Sequence, residues 1–221
     1  MSLLLPHGGL VTAPLAAVLH TDNTVDLVNR AEYTFTSQSV GSNNPKKVVV
    51  IAGVNSGAGG SITGMTVDGD AMTEVVESTV DGQNIVGMWQ RNNVTATSAV
   101  TIVVTRNSAN CGIGVFEVTN AADAANDTGD GNANPGTATI GVLAGGVTIA
   151  GMYTAGAYPH LRTHVWSAGI TERYDEQVET TQSHSGACID NATTDGSFAI
   201  TCTPSGTSDT EGFVCASWAA G

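Results

Sequence analysis

The strongest constraint on this chain is a rhythm: short runs rich in Val, Ile and Thr, separated by clusters of Gly, Asn, Asp and Ser, recur from one end to the other. The runs cover residues 32–40, 47–55, 62–67, 72–78, 84–91, 100–105 and 111–118, then 147–153, 164–166, 170–178, 186–189, 198–203 and 212–218. β-Branched side chains lose χ1 freedom in a helix and pack well on a pleated surface, so these runs favour strands. Between them stand Asp68-Gly69-Asp70, Asp81-Gly82 and Pro204-Ser205-Gly206, residue types suited to turns. Regularly spaced strands with such punctuation predict an all-β sandwich or barrel.

A weak internal repeat refines the architecture. The shift that carries Val49 onto Val147 also carries Ile51, Ala52 and Gly53 onto Ile149, Ala150 and Gly151, and Thr73-Glu74 onto Thr171-Glu172. It further matches Val67 with Val165, Ile102 with Ile200, and Gly114 with Gly212. The period is far longer than a solenoid unit. The expectation is one β-sandwich domain over residues 29–221 built from two related halves, about 30–119 and 147–221, joined by a polar crossover at 120–146. Residues 1–28 precede it as an N-terminal arm.

Charge narrows the partners. Seven Lys and Arg stand against 20 Asp and Glu, a formal net charge of -13. Phosphate backbones are bound by clustered Lys and Arg that release counterions, and Lys46-Lys47 is the sole adjacent basic pair, so nucleic acid is not an expected partner. No stretch reaches the roughly 20 apolar residues of a membrane helix. The apolar N-terminus lacks a positive n-region and is interrupted by Pro6, Gly8, Gly9 and Pro14, which does not fit a signal peptide. Cys111, Cys188, Cys202 and Cys215 show no CxxC spacing. Reduced, buried thiols are expected, with a Cys202–Cys215 bridge across neighbouring strands left open.

The search for chemistry returns little. No Gly-x-Ser-x-Gly elbow, P-loop or dinucleotide fingerprint is present. His160 and His164 are four apart, a zinc spacing on a helix but not on the loop and strand expected here, where solvent-facing histidines are the reading. Glu74 and Glu172 occupy equivalent repeat positions, which suits structure better than the division into acid and base that glycoside hydrolysis needs. Asp123, Asp127 and Asp130 gather oxygen ligands in a short stretch and form a weak calcium candidate, without EF-hand order or a terminal bidentate Glu. Trp89 and Trp218 sit in strand patterns as core residues. Tyr153, Tyr158 and Trp166 flank a loop and are the aromatics open to glycan contact. No cofactor is expected.

Several segments carry a resemblance. Tyr33-Thr-Phe-Thr36, the turn Gly41-Ser-Asn-Asn-Pro45, the strand Lys47-Val-Val-Val-Ile-Ala-Gly53, the hairpin at 62–75 and Val86-Gly-Met-Trp89 are followed by the strands at 100–105 and 114–120. Gly146-Val-Thr-Ile-Ala150 and the closing Gly212-Phe-Val-Cys-Ala-Ser-Trp218 continue it, over roughly residues 30–220. Together they resemble the jelly-roll-like β-sandwich module of phage virion structural proteins, head decoration or tail-associated, and of bacterial surface proteins. Asn92-Asn93-Val94-Thr95 replaces that module's usual Pro-containing loop, and residues 120–134 are unusually polar.

The resemblance implies a non-enzymatic virion structural protein, a capsid decoration or cement subunit on the outer surface of the head. Its partners would be itself, as a homo-oligomer and expectedly a trimer, and the major capsid protein or other virion proteins. The alternatives are a tail-fibre or baseplate module that binds host-surface glycan, and a secreted carbohydrate-binding or adhesin-like domain. The arm carries Leu3, Leu4, Leu5, Leu10, Val11, Leu15, Val18 and Leu19, with no charged side chain before Asp22. Apolar segments do not remain free in water, so the arm is expected to dock on a neighbouring subunit or the capsid. Folding back as an extra edge strand is the other possibility.

Overall fold

The computed structural model describes residues 14–221 apart from 56–60, 81–83, 109, 156–162, 168 and 207–209. Among the described residues the chain is all β, with every strand pairing antiparallel and no helix. The strands are β1 (Ala17–Asp26), β2 (Arg30–Gln38), β3 (Lys46–Asn55), β4 (Gly64–Val67), β5 (Asp70–Ala71), β6 (Thr73–Val80), β7 (Asn84–Val94), β8 (Val100–Ser108) and β9 (Asn110–Thr119). They continue with β10 (Asp127–Gly131), β11 (Gly136–Val142), β12 (Val147–Ala155), β13 (His164–Trp166), β14 (Thr171–Glu179), β15 (Gln182–Asp190), β16 (Asp195–Pro204) and β17 (Thr210–Trp218).

They form four sheets, ordered β1-β9-β3-β7-β6, β2-β8-β4-β5, β10-β17-β12-β15-β14 and β11-β16-β13. Three apolar cores separate them as layers. One lies between the two sheets of residues 17–119 and gathers Tyr33, Phe35, Val48, Val50, Ile102 and Val104. Another lies between the two sheets that follow and gathers Ile140, Met152, Ile200 and Phe213. The middle core joins the pair of five-stranded sheets through Val49, Ile51, Phe116, Ile149, Tyr174 and Trp218. This sandwiching explains the sequence of β3. Its even residues from Val48 to Val54 face one core and Val49 and Ile51 face the other, so the strand reads as an unbroken apolar run rather than an alternating one.

The middle layer is held close by glycine. A Cβ on Gly114 of β9, in the facing sheet, would fall 2.3 Å from the Tyr174 ring, and one on Gly186 of β15, in the ring's own sheet, would also fall 2.3 Å from it. Tyr174 is thus clamped between two strand glycines, as expected where another element approaches a backbone closely. Its hydroxyl meets Nε2 of His184 at 3.1 Å. Burial drives the His184 pKa down to about 3, with His164 and His20 adding repulsion. His20, stacked on Tyr174 at 5.0 Å, is lowered by burial in the same direction.

A pH effect follows. A folded-state pKa below the unfolded value means that the unfolded chain takes up the proton first, so this contribution is complete above about 6.5 and is lost as pH falls toward 3. The slope is up to about 1.4 kcal/mol per pH unit for one proton. Glu77 and Glu172, both raised by burial, act in the opposite sense. The readout is therefore a difference: thermal melting between pH 7 and 4 should fall more steeply for the wild type than for His184→Gln, and parallel curves would refute the assignment.

Two expected boundaries move. The sandwich begins at Ala17, because β1 pairs with β9 residue by residue from Ala17–Thr119 to Asp26–Cys111. The later part of the 1–28 arm is thus an edge strand, with Val18 buried in the middle core and Leu15 and Leu19 exposed. Leu3, Leu4, Leu5, Leu10 and Val11 lie outside the described residues. The crossover expected over 120–146 instead holds β10 and β11, which pair with β17 and β16. Cys202 and Cys215 stand on strands of different sheets, and all four cysteines are free and buried.

Candidate functional site

A concavity opens where β3 begins, where β7 and β9 end, and where the chain passes from β9 toward β10. It measures about 510 Å³ and is lined by Asn43, Asn44, Pro45, Lys46, Lys47, Asn92, Asn93, Val118, Thr119, Asn120, Ala121, Asp123 and Gly221. Lys46 and Lys47 open β3, so strand alternation sends their side chains to opposite sides of the sheet. Both are buried, their stems lying along apolar surface and their ammonium groups reaching backbone oxygens.

Lys47 Nζ donates to Ala122 O at 2.6 Å, to Asp123 O at 2.9 Å and to Gln90 Oε1 at 3.3 Å, which uses all three of its protons. It also stands 5.2 Å from the Trp218 ring centroid. Burial lowers its pKa to about 8, with Asp123 pulling the other way, so it remains an ammonium at neutral pH. Gln90 completes the junction: Oε1 accepts from Trp218 Nε1 at 2.9 Å and Nε2 donates to Asp123 O at 2.9 Å. Asn92 Nδ2 gives Asp123 O another bond at 3.2 Å. One carbonyl thus gathers three side chains and pins the segment that links the two pairs of sheets.

Lys46 differs. Its ammonium donates to Asn43 O at 2.7 Å and to Ala96 O, two partners for three protons. The ion pairs among the described residues are Arg30–Asp26, Arg91–Asp70 and His164–Asp175, so neither lysine meets a carboxylate. Asn92 Oδ1 is buried without a hydrogen-bond partner among the described residues. Asn93 and Asn120 both hold left-handed backbone, with φ of 57° and 52°, a conformation that Asn tolerates better than most residues.

The residues singled out from sequence do not converge on a site. Tyr153 is not a surface aromatic: it is buried against Gly53 and its hydroxyl bonds Asn110 Oδ1 at 2.8 Å and Gln182 Oε1 at 2.7 Å. Trp166 turns inward, donating to Ser185 Oγ at 2.9 Å and packing beside Phe213. Tyr158 lies outside the described residues, so no aromatic platform is formed by the described members of that set. Asp127 and Asp130 are three apart on β10, which points them to opposite faces, and Asp127 accepts from the backbone N–H groups of Thr128 and Gly141. Among the described residues no group of three or more His, Cys, Asp or Glu side chains could hold a metal ion.

His164 corrects another expectation. It is buried rather than solvent-facing, and Nδ1 lies 2.7 Å from Asp175 Oδ1 while its backbone N–H donates to Asp175 Oδ2. His160 lies outside the described residues. Glu74 and Glu172 are exposed on β6 and β14, the outermost strands of two different sheets. Sequence reasoning missed the cleft. Its only sequence signal was the Lys46-Lys47 pair set between Asn-rich turns.

Comparison with known proteins gives no family: no family model matches the chain. No curated protein matches it either.

Proposed function

We propose that the chain is a non-enzymatic virion structural protein, a decoration or cement subunit on the outer surface of a phage head that acts as a homo-oligomer on the capsid lattice. The reading rests on strand order. In residues 17–119 pairing is nested, β1 with β9, β2 with β8 and β3 with β7, which is the pattern made by rolling up one long hairpin. From β10 onward it is nested again, β10 with β17, β11 with β16 and β12 with β15. Two such jelly-roll-like units, set back to back through their five-stranded sheets, agree with the module that the sequence resembles and with the repeat that places Glu74 on Glu172. Leu15, Leu19, Leu27 and Val28, each more than half exposed, place apolar side chains on β1 and just beyond its two ends for lattice or subunit contact. Many weak contacts on a repeating surface then add up through avidity.

Copy number tests this. Quantitative peptide counting on purified particles should find the protein in hundreds of copies, while a handful at the tail would favour the tail-fibre or baseplate reading. Absence from particles would reject both.

A further inference from the structure

All three histidines among the described residues converge on one edge strand, β14. From β1, His20 stacks on the ring of Tyr174 at 5.0 Å. From β15, His184 Nε2 meets the Tyr174 hydroxyl at 3.1 Å. From β13, His164 Nδ1 lies 2.7 Å from Oδ1 of Asp175, the next residue along the strand. The strand they surround is loosely built. β14 ends its sheet, pairs with β15 alone, and shifts register twice, at Glu172/Tyr174 and Gln177/Glu179. Its side-chain bonds to the first pair of sheets run through carboxylates: Glu176 Oε1 accepts from Asn23 Nδ2 at 2.8 Å and Glu179 Oε2 from Asn110 Nδ2 at 3.0 Å. Such charge-assisted bonds are about twice as strong as neutral ones and lose that advantage on protonation.

We propose that β14 is an acid-released strap: as pH falls it lifts from the seam between the two five-stranded sheets, while the central strands of those sheets stay paired. The rings it covers set the direction. Burial holds His20 and His184 below the ordinary imidazole range, and His20 Nε2 has no hydrogen-bond partner among the described residues, so neither ring takes up a proton at low cost under the strap. Once it is released they can, which shifts the opening equilibrium by up to about tenfold per ring for each pH unit below about 6.5. The charged groups around them are Asp22 on β1, His164 on β13, and Glu172, Arg173, Asp175 and Glu176 on β14. β9 and β12 bring Phe116, Cys111 and Tyr153, all uncharged there. Two groups oppose release: an imidazolium at His164 would pair with Asp175, and burial raises the Glu172 carboxyl. Glu172 is exposed, and an Nε2 proton on His164 would be buried with no acceptor among the described residues, so the two covered rings prevail.

Hydrogen exchange on the full chain, read by mass spectrometry and corrected for the intrinsic pH dependence of amide exchange, compares β14 with the central strand β12. Between pH 7 and 5 the amides of residues 171–179 should lose about tenfold or more in protection relative to those of 147–155. His20→Phe keeps an aromatic ring on Tyr174 that cannot be protonated, so it should remove several-fold of that loss. Should that variant fail to fold, His184→Gln makes the same comparison. Protection of β14 equal to that of β12 at pH 5, simultaneous loss in both strands, or a pH dependence unchanged by whichever variant folds would each overturn the strap.

Discussion

Replacing Gly114 by Ala should cost about 3 kcal/mol of stability and lower the melting temperature by about 10 °C, an effect out of proportion to one methyl group. The added Cβ would lie 2.3 Å from Cε1, Cζ and Oη of Tyr174, less than the distance at which any two such atoms coexist. The ring has no direction of escape. Gly186 lies against it from its own sheet, His184 closes on it at 5.1 Å between centroids, and Phe116 and His20 stand at 6.3 and 5.0 Å. Protein interiors transmit such overlaps rather than absorb them, so the five-stranded sheets must separate locally and strip contacts from the middle core. Gly196→Ala is the control, since its Cβ would meet nothing within 4 Å, and it should melt with the wild type or slightly above. Pairing Gly114→Ala with Tyr174→Leu should cost less than the two single losses summed, because the smaller side chain leaves room for the methyl. A Gly114→Ala protein that melts with the wild type would remove the clamp from the account.

How much of this was legible in the sequence depends on the burial of each strand. Strands such as β3, β9 and β12 are buried on both faces, so Val, Ile and Ala fill them and the runs announce themselves. β10 is the opposite case: Asp127-Thr-Gly-Asp-Gly131 is mostly exposed at a sheet edge, held by backbone bonds to β17, and needs no apolar pattern. It therefore read as crossover. β1 looked like an arm because only Val18 carries a clear inward signal, while Leu15 and Leu19 face out. Tyr153 shows why aromatics near loops mislead: its place depends on Gly53, a hundred residues earlier in sequence and on the opposite sheet, and no local pattern encodes that contact. The cleft was hidden for the same reason, since Lys46 and Lys47 read as a solvated basic pair until the segments carrying Ala96, Ala122 and Asp123 close over them.

A chain beginning at Asn29 should fail to fold cooperatively, whereas one beginning at Pro14 should melt like the full protein. The difference lies in β1. Beginning at Asn29 removes the whole strand that pairs with β9, and β9 is buried along nearly its entire length. It also removes Val18 and Ala16 from the middle core and the bonds from Val18 N–H to Asp190 Oδ1 and from Ala16 N–H to Gly145 O, which tie the first strand to the second pair of sheets. Burial of Val18 at about 2 kcal/mol and of the Ala16 methyl at about 0.8 kcal/mol, together with an opened ladder, takes away a large part of the roughly 5–15 kcal/mol by which domains are stable. The exposed edge of β9 would then invite pairing with another chain and aggregation. Beginning at Pro14 leaves all of these contacts in place and removes only residues 1–13, with Leu3, Leu4, Leu5, Leu10 and Val11. If those residues dock on a neighbouring subunit or on the capsid, the Pro14 chain keeps its β-type circular dichroism and its melting temperature but sediments as a smaller species or no longer attaches to bare particles. Unchanged assembly would rule out the docking role, and cooperative melting of the Asn29 chain would show that β1 is dispensable to the sandwich.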